Sequence, residues 1–312
     1  MVKQMAEHDS PVLIIGAAGR IGAVGRKVTE LLLARGFRVR AQVRVDDERA
    51  EALRALGAET VVGDLLDIMA VHRALEGCER VYFGMSVSPN YLEAAANVAV
   101  VAKHHDVEAF VNLSQMTVNE MDIFNTTSSP QQKQHWLAEQ ILGWSGLPVV
   151  QVRPTAFMEG LFLQSTKAIS TQNKILAPFG AGRNSAIAAV DVARAITTIL
   201  SDPAAHIGQT YHLTGPASQD MNAIAGEFSA ALGRTISYVD IPLAAWKSQL
   251  SAFGMEAHVA AHLATIAELH RANRYDRFSN DVEGLTGIAP MSVREFVRRN
   301  ASAFAADDSS RH

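Results

Sequence analysis

Cysteine is nearly absent from this chain: Cys78 is the only one among 312 residues. An internal disulfide and a cysteine-built metal cage are therefore excluded. An excess of charge of either sign is missing too, since 28 Lys and Arg stand against 32 Asp and Glu for a formal net charge of -4. That mild acidity argues against nucleic acid or an anionic membrane as partner, because either calls for a clustered basic face. No uninterrupted apolar run approaches the ~20 residues of a membrane span. The leader MVKQMAEHDS has no apolar core of a secretion signal. A cytoplasmic protein without a membrane or nucleic-acid partner is expected, and nothing in the sequence speaks against a homodimer.

What is present is a rhythm. Pro11–Ile15 (PVLII) has a buried-strand pattern, then come glycines and an amphipathic stretch ending ELLLARG. Strands are expected at Phe37–Arg44, Glu59–Val62, Arg80–Phe83, Ala109–Leu113 and Val149–Val152. Helices are expected between them at Arg49–Leu56, Val71–Leu75, Tyr91–His104 and Gln131–Trp144. Strict alternation of this kind makes an α/β protein with a parallel, doubly wound sheet, because parallel strands need crossover connections. After Pro154 the rhythm breaks, with helices at Asp191–Leu200, Met221–Leu232 and Ala257–His270 and short strands at Thr210–Leu213 and Ile236–Val239. The expected organisation is a Rossmann-type domain over 1–154 and a smaller, mostly helical substrate lobe over 155–312. Residues 191–213 are able to return a helix and a strand to the main sheet.

Gly16, Gly19 and Gly22 form G-x-x-G-x-x-G directly between the first strand and its helix. Such a turn lets backbone N–H groups and the positive helix end meet a pyrophosphate, so Gly16, Ala18, Gly19, Arg20, Ile21 and Gly22 are the expected dinucleotide contacts. The plainer alternative is a tight turn that binds nothing. The second strand ends at Arg44 rather than at an acidic residue, and Arg20 sits inside the loop. Two guanidiniums suit a 2′-phosphate, which places NADP(H) ahead of NAD(H). Asp46 and Asp47 follow closely and weigh against this by cancelling part of the field.

The segments GAAGRIG, AQVR, VVGDLLD, SGLPVVQVRPTAFMEGL, AAVDVARAITTIL and YHLTGP together resemble the NmrA-like branch of the atypical short-chain dehydrogenase/reductase superfamily, over about Val12 to Phe304. That branch includes NADPH-dependent quinone and azo-compound reductases as well as cofactor-sensing regulators. The resemblance implies adenine contacts at Asp64 and Leu65, a lining of the cofactor's middle by Gly84, Met85 and Ser86, and a nicotinamide border of Ser114, Pro154 and Phe157. Each has a plainer reading: Asp64 and Asp67 as helix caps, Ser114 as a strand-end hydroxyl, Phe157 as core. Asp191 is read as the N-cap of Val192–Leu200. The chain also departs from the branch, with about one helical turn inserted around Ala23–Gly25, so that Gly25 can share or take over the role of Gly22.

None of the five tyrosines, Tyr82, Tyr91, Tyr211, Tyr238 and Tyr275, has a lysine four residues later. The superfamily's usual proton-passing pair is therefore missing, which argues against ordinary carbonyl chemistry. Where relatives keep a lysine before the sixth strand, this sequence has His135, with Glu139 one turn on. His135 is the expected proton donor, with Ser114 beside the nicotinamide, unless the imidazole only packs under the cofactor or faces water. Glu139 either orients that ring or holds its cationic form, or else points to solvent. His258 and His262 share a helical face without a third ligand, His104–His105 ends a helix where a cation suits the dipole, and no metal is expected. Cys78 is expected to be inert. The function that follows is an NADPH-dependent reductase passing hydride to a small-molecule acceptor such as a quinone. The alternative is a non-catalytic NADP(H)-sensing regulator.

Overall fold

The computed structural model describes residues 10–19, 23–252 and 254–306. Arg20, Ile21 and Gly22, three of the expected loop contacts, lie outside the described residues. In chain order the elements are β1 (Val12–Ile15), α1 (Val24–Ala34), β2 (Val39–Val43), α2 (Glu48–Ala55), β3 (Glu59–Val62), α3 (Ile68–Leu75), β4 (Arg80–Phe83) and α4 (Tyr91–His104). Next come β5 (Ala109–Leu113), α5 (Pro130–Trp144), β6 (Val149–Pro154), α6 (Met158–Phe162), α7 (Thr166–Gln172), β7 (Lys174–Ala177) and α8 (Ala189–Ser201). The chain continues with β8 (Thr210–Leu213), α9 (Met221–Leu232), β9 (Ser237–Asp240), α10 (Leu243–Ala252), α11 (Ala257–Arg271), α12 (Asp281–Thr286) and α13 (Val293–Arg299).

Seven strands form one sheet in the order β3-β2-β1-β4-β5-β6-β8. It is a Rossmann-type parallel sheet, with β1 paired to β2 on one side and to β4 on the other. β1 is buried at every position, as a strand covered on both faces must be. On one face Leu13, Ile15, Val81, Phe83 and Phe110 pack against Val71, Leu75, Tyr91 and Val98 of α3 and α4. The alternate residues Ile14, Tyr82 and Val111 point to the other face and are equally buried. α1 lies along β1 and β2. Asp47 and Asp67 cap α2 and α3 by accepting from the Arg49 and Met69 N–H groups at 3.0 and 2.9 Å.

Two compact units divide the chain, and neither is a single stretch. The first holds the residues up to Ser114, Gln134–Arg153 and Val192–Tyr211. The second holds Gln115–Lys133, Pro154–Asp191 and His212 onwards. Its core joins Met158, Phe162, Phe228, Phe296 and Phe304, with the Phe162 and Phe228 rings edge-on at 5.2 Å. A parallel pair, β7 with β9, forms its own small sheet. Four helices of this unit, α6, α7, α12 and α13, have seven residues or fewer, too short for a clear periodic signal.

Asp191 corrects the sequence reading. α8 begins at Ala189, so Asp191 lies within its first turn, fully buried, and accepts from the Met291 N–H at 2.7 Å. It is a long-range tie inside the second unit and not the helix cap. No described helix is long and apolar enough to cross a membrane.

Candidate active site

In the sheet order, β1 and β4 are neighbours from which the chain winds out in opposite directions. At such a switch point the loops leaving the carboxyl ends of the two strands part and open a crevice. Gly16 leaves β1 with φ +92, and a Cβ there would collide with the Gly84 carbonyl oxygen. The Gly84 N–H in turn donates to the Ile15 carbonyl at 3.2 Å. A Cβ on Gly19 would lie 4.0 Å from the Ser86 hydroxyl oxygen. The structure thus brings Gly16, Ala18, Gly19, Gly84, Met85 and Ser86 to one place, with Met85 half-buried and Ser86 exposed.

Gly25 is where the inserted turn shows its effect. It is buried in the first turn of α1, and a Cβ on it would sit 2.7 Å from the Gly16 oxygen, 2.8 Å from the Gly16 carbonyl carbon and 2.9 Å from the Ala17 nitrogen. Close approach of helix to strand requires glycine at this point. The glycine that seats the helix on the phosphate loop is Gly25.

Beyond β2, Arg44 is exposed and makes no hydrogen bond or ion pair among the described residues. The strand stops at Val43, one residue earlier than the alternation suggests. Both acidic neighbours are occupied. Asp46 pairs with Arg54 at 2.7 Å and Asp47 with Arg49 at 2.5 Å. The Arg49 guanidinium holds the Asp47 carboxyl below its ordinary value through their hydrogen bond. Arg49 also donates to the Ala18 carbonyl at 3.3 Å, so a second guanidinium borders the glycine loop. The sequence reading missed Arg49, whose only local signal was its place in the first turn of α2.

Past β3, the exposed Asp64 carboxylate accepts from the Leu66 N–H at 3.0 Å, closing a turn, and Leu65 is buried with its carbonyl accepting from Asn97 at 3.0 Å. Ser114 follows β5. Its N–H donates to the Val152 carbonyl at 2.8 Å, while its hydroxyl is buried with no partner among the described residues. The plainer reading of Ser114 as a hydroxyl spent on strand-end backbone does not hold.

His135 is buried on α5, its ring 4.2 Å from that of Tyr91 at the start of α4. It does not face water. Tyr91 itself is fully buried, and its hydroxyl has no partner among the described residues. Glu139 does not point to solvent. It is buried, and its carboxylate takes a two-point grip from Arg153, with Nε and one terminal nitrogen at 3.0 and 2.5 Å. This fork matches guanidinium to carboxylate and anchors α5 to β6. In the second unit, Pro154 ends β6 and the half-buried Phe157 precedes α6, bridging in parallel to Ile187.

Elsewhere, His258 and His262 bond to Gln131 and Ser129 at 3.0 and 3.1 Å. Cys78 is buried, and burial pushes its thiol up to about 11, so the reactive thiolate is suppressed as expected.

The sequence model described as NAD(P)H-binding matches residues 16–203. The chain belongs to the NAD(P)H-binding family. Within it, the chain is 30% identical over 297 residues to an NAD(P)H azoreductase of Xenophilus azovorans, covering 95% of this chain and 99% of that protein. The fold is shared with an NADPH-dependent quinone oxidoreductase of Escherichia coli solved with NADPH, at a TM-score of 0.81 and 23% identity over 93% of this chain and 99% of that one. It is also shared with NmrA, a negative transcriptional regulator solved with NADP, at a TM-score of 0.76 and 17% identity over 93% and 95% of the two chains. The resemblance read from the sequence motifs is thus upheld at the level of family and fold.

This member's own residues suit the family's cofactor. The cradle of Gly16, Gly25 and Gly84 leaves no room for side chains where a pyrophosphate needs backbone N–H groups. Arg44, without a partner among the described residues, has the forked donors that a phosphate accepts.

Proposed function

We propose that the protein is an NADPH-dependent reductase acting on a small, electron-poor acceptor such as a quinone or an azo compound. The cofactor choice rests on one observation: among the described residues Arg44 has no partner, while Asp46 and Asp47 are both paired with arginines. The Arg44 guanidinium therefore stays available to a 2′-phosphate, which is favoured over a bare hydroxyl. The reductase reading draws support from full-length similarity to an NAD(P)H azoreductase.

When bound, the nicotinamide supplies hydride. The chain's own residues bind, orient and protonate. Gly16 and Ala18 present backbone N–H groups to the pyrophosphate, Gly19 closes the turn by donating its N–H to the Gly16 carbonyl at 3.1 Å, and Arg20, Ile21 and Gly22 are the remaining expected contacts. Arg44 holds the 2′-phosphate, and Asp64 and Leu65 flank the adenine. Gly84, Met85 and Ser86 line the cofactor's middle, and Pro154 and Phe157 border the nicotinamide. Ser114 has a buried hydroxyl with no partner among the described residues, suited to the carboxamide or the acceptor oxygen. His135 donates the proton to the reduced acceptor. Such acceptors need little proton help before reduction, which accounts for the missing tyrosine–lysine pair.

A panel of quinones, azo dyes, enones and aldehydes, followed at the NADPH absorbance, tests the reading. The expected result is turnover with at least one quinone or azo compound, and slower turnover with NADH. If NADPH raises the melting temperature but no acceptor is reduced above background, the second reading, a cofactor-sensing regulator sharing the fold of NmrA, takes over.

A further inference from the structure

We infer that His72, His104 and His105 form a binding site for a zinc ion, remote from the cofactor loops. Among the described residues, one imidazole nitrogen from each of the three lies within 4.8 Å of the others. His105 Nε2 is 3.0 Å from His72 Nδ1, and the His104 ring stands edge-on to both, with centroids 5.8 and 5.2 Å away. Two nitrogens sharing a tetrahedral zinc at about 2.0–2.1 Å are roughly 3.3 Å apart. The His72–His105 pair is already within a few tenths of an ångström of that separation. Small side-chain rotations bring in the exposed His104.

The fold builds this cluster from two helix ends. His72 lies in the last turn of α3, His104 ends α4 and His105 is its cap. Both ends carry unsatisfied carbonyls and the negative pole of a helix, which favour a cation. Glu76, the cap of α3, has its carboxylate close enough to act on His105 electrostatically. Water completes the tetrahedral set. Neutral imidazole with an oxygen ligand suits borderline divalent ions such as zinc and not magnesium or calcium. In a parallel α/β sheet the helices run back against the strands, so their carboxyl ends lie at the edge where strands begin. α4, 14 residues long, spans about 21 Å at 1.5 Å per residue. The ion therefore ties α3 to α4 without touching the glycine loop, and its effect is on stability.

Titration of the metal-free, full-length protein with zinc chloride by calorimetry tests the site. One zinc per chain with micromolar affinity is expected. His105→Gln and His104→Ala should each weaken it at least tenfold, and His206→Gln should leave it unchanged. His104 is exposed, so its replacement leaves the fold intact even if a change at the partly buried His105 does not. Zinc in hundredfold excess over its Kd should raise the Tm of the parent by a few degrees and that of His104→Ala hardly at all. NADPH binding should be the same in all three variants. Zinc affinity equal in parent, His104→Ala and His105→Gln, or no saturable binding at millimolar zinc, overturns the inference. The outcome is independent of which acceptor the protein reduces.

Discussion

Gly25→Ala tests whether helix α1 is seated on the phosphate loop through a missing side chain. On helix preference alone the change is favourable, because alanine exceeds glycine by about 0.8–1.0 kcal/mol in a helix interior. The structure opposes that gain. The added Cβ meets the Gly16 oxygen at 2.7 Å and the Ala17 nitrogen at 2.9 Å, both backbone atoms that cannot rotate away. Ordinary contacts between carbon and oxygen lie near 3.3–3.6 Å, so α1 must retreat from β1 by roughly half an ångström or more. Overpacking of this kind costs about 1–3 kcal/mol. The net is a loss of roughly 1 kcal/mol, or about 2–4 °C in Tm. Because the retreat displaces Gly16, NADPH affinity should also fall at least tenfold, about 1.4 kcal/mol. Gly226→Ala is the control. Gly226 is exposed inside α9, and a Cβ there meets nothing within 4 Å, so the helix gain appears unopposed and Tm should rise. Differential scanning calorimetry and NADPH titration read both quantities. A Gly25→Ala protein that gains stability like Gly226→Ala and binds NADPH unchanged would refute the packing argument.

Arg44→Ala should lower the NADPH-to-NADH affinity ratio about tenfold or more by calorimetric titration, a charged hydrogen bond being worth about 1.5–3 kcal/mol; an unchanged ratio removes Arg44 as the phosphate reader. His135→Ala should cut turnover roughly 10²-fold with NADPH affinity nearly intact, and normal turnover would reduce the ring to packing against Tyr91. Asp191→Ala strands the Met291 N–H inside the second unit, at about 1–3 kcal/mol in urea unfolding, and no change in midpoint would contradict the tie. Burial holds His262 and His270 neutral, moving them from an ordinary value of 6.5 down to about 4 and about 3. The unfolded chain takes up these protons first as pH falls. Stability should therefore be undiminished above pH ~6.5 and fall below it, by roughly 1.4 kcal/mol per pH unit per histidine, until each folded value is passed. Urea midpoints at several pH values check the slope, which His270→Phe should make shallower.

The alternation of apolar runs and helical stretches was enough to reveal the sheet up to β6, since a parallel strand covered on both faces has to be continuously apolar, as VLII and RVYF nearly are. Strand–glycine–helix order likewise marked the cofactor loop, because only a side-chain-free turn admits a pyrophosphate. The short β7, KILA, escaped notice. Its partner, β9, lies some 60 residues further along, and four residues carry too little periodicity to announce a strand. The charge balance near Arg44 was also out of reach. Asp46 and Asp47 stand beside it in sequence, yet the turn into α2 hands them to Arg54 and Arg49. Local spacing placed Glu139 on the same helical face as His135, and only tertiary structure showed its pairing with Arg153 on the neighbouring strand. His72 and His105 are 33 residues apart, and only the packing of α3 on α4 makes them neighbours. Sequence patterning thus determined what is local, the alternation of elements and the glycine turn. The pairing of charges and the meeting of imidazoles are long-range, and they were settled by how helices and strands pack.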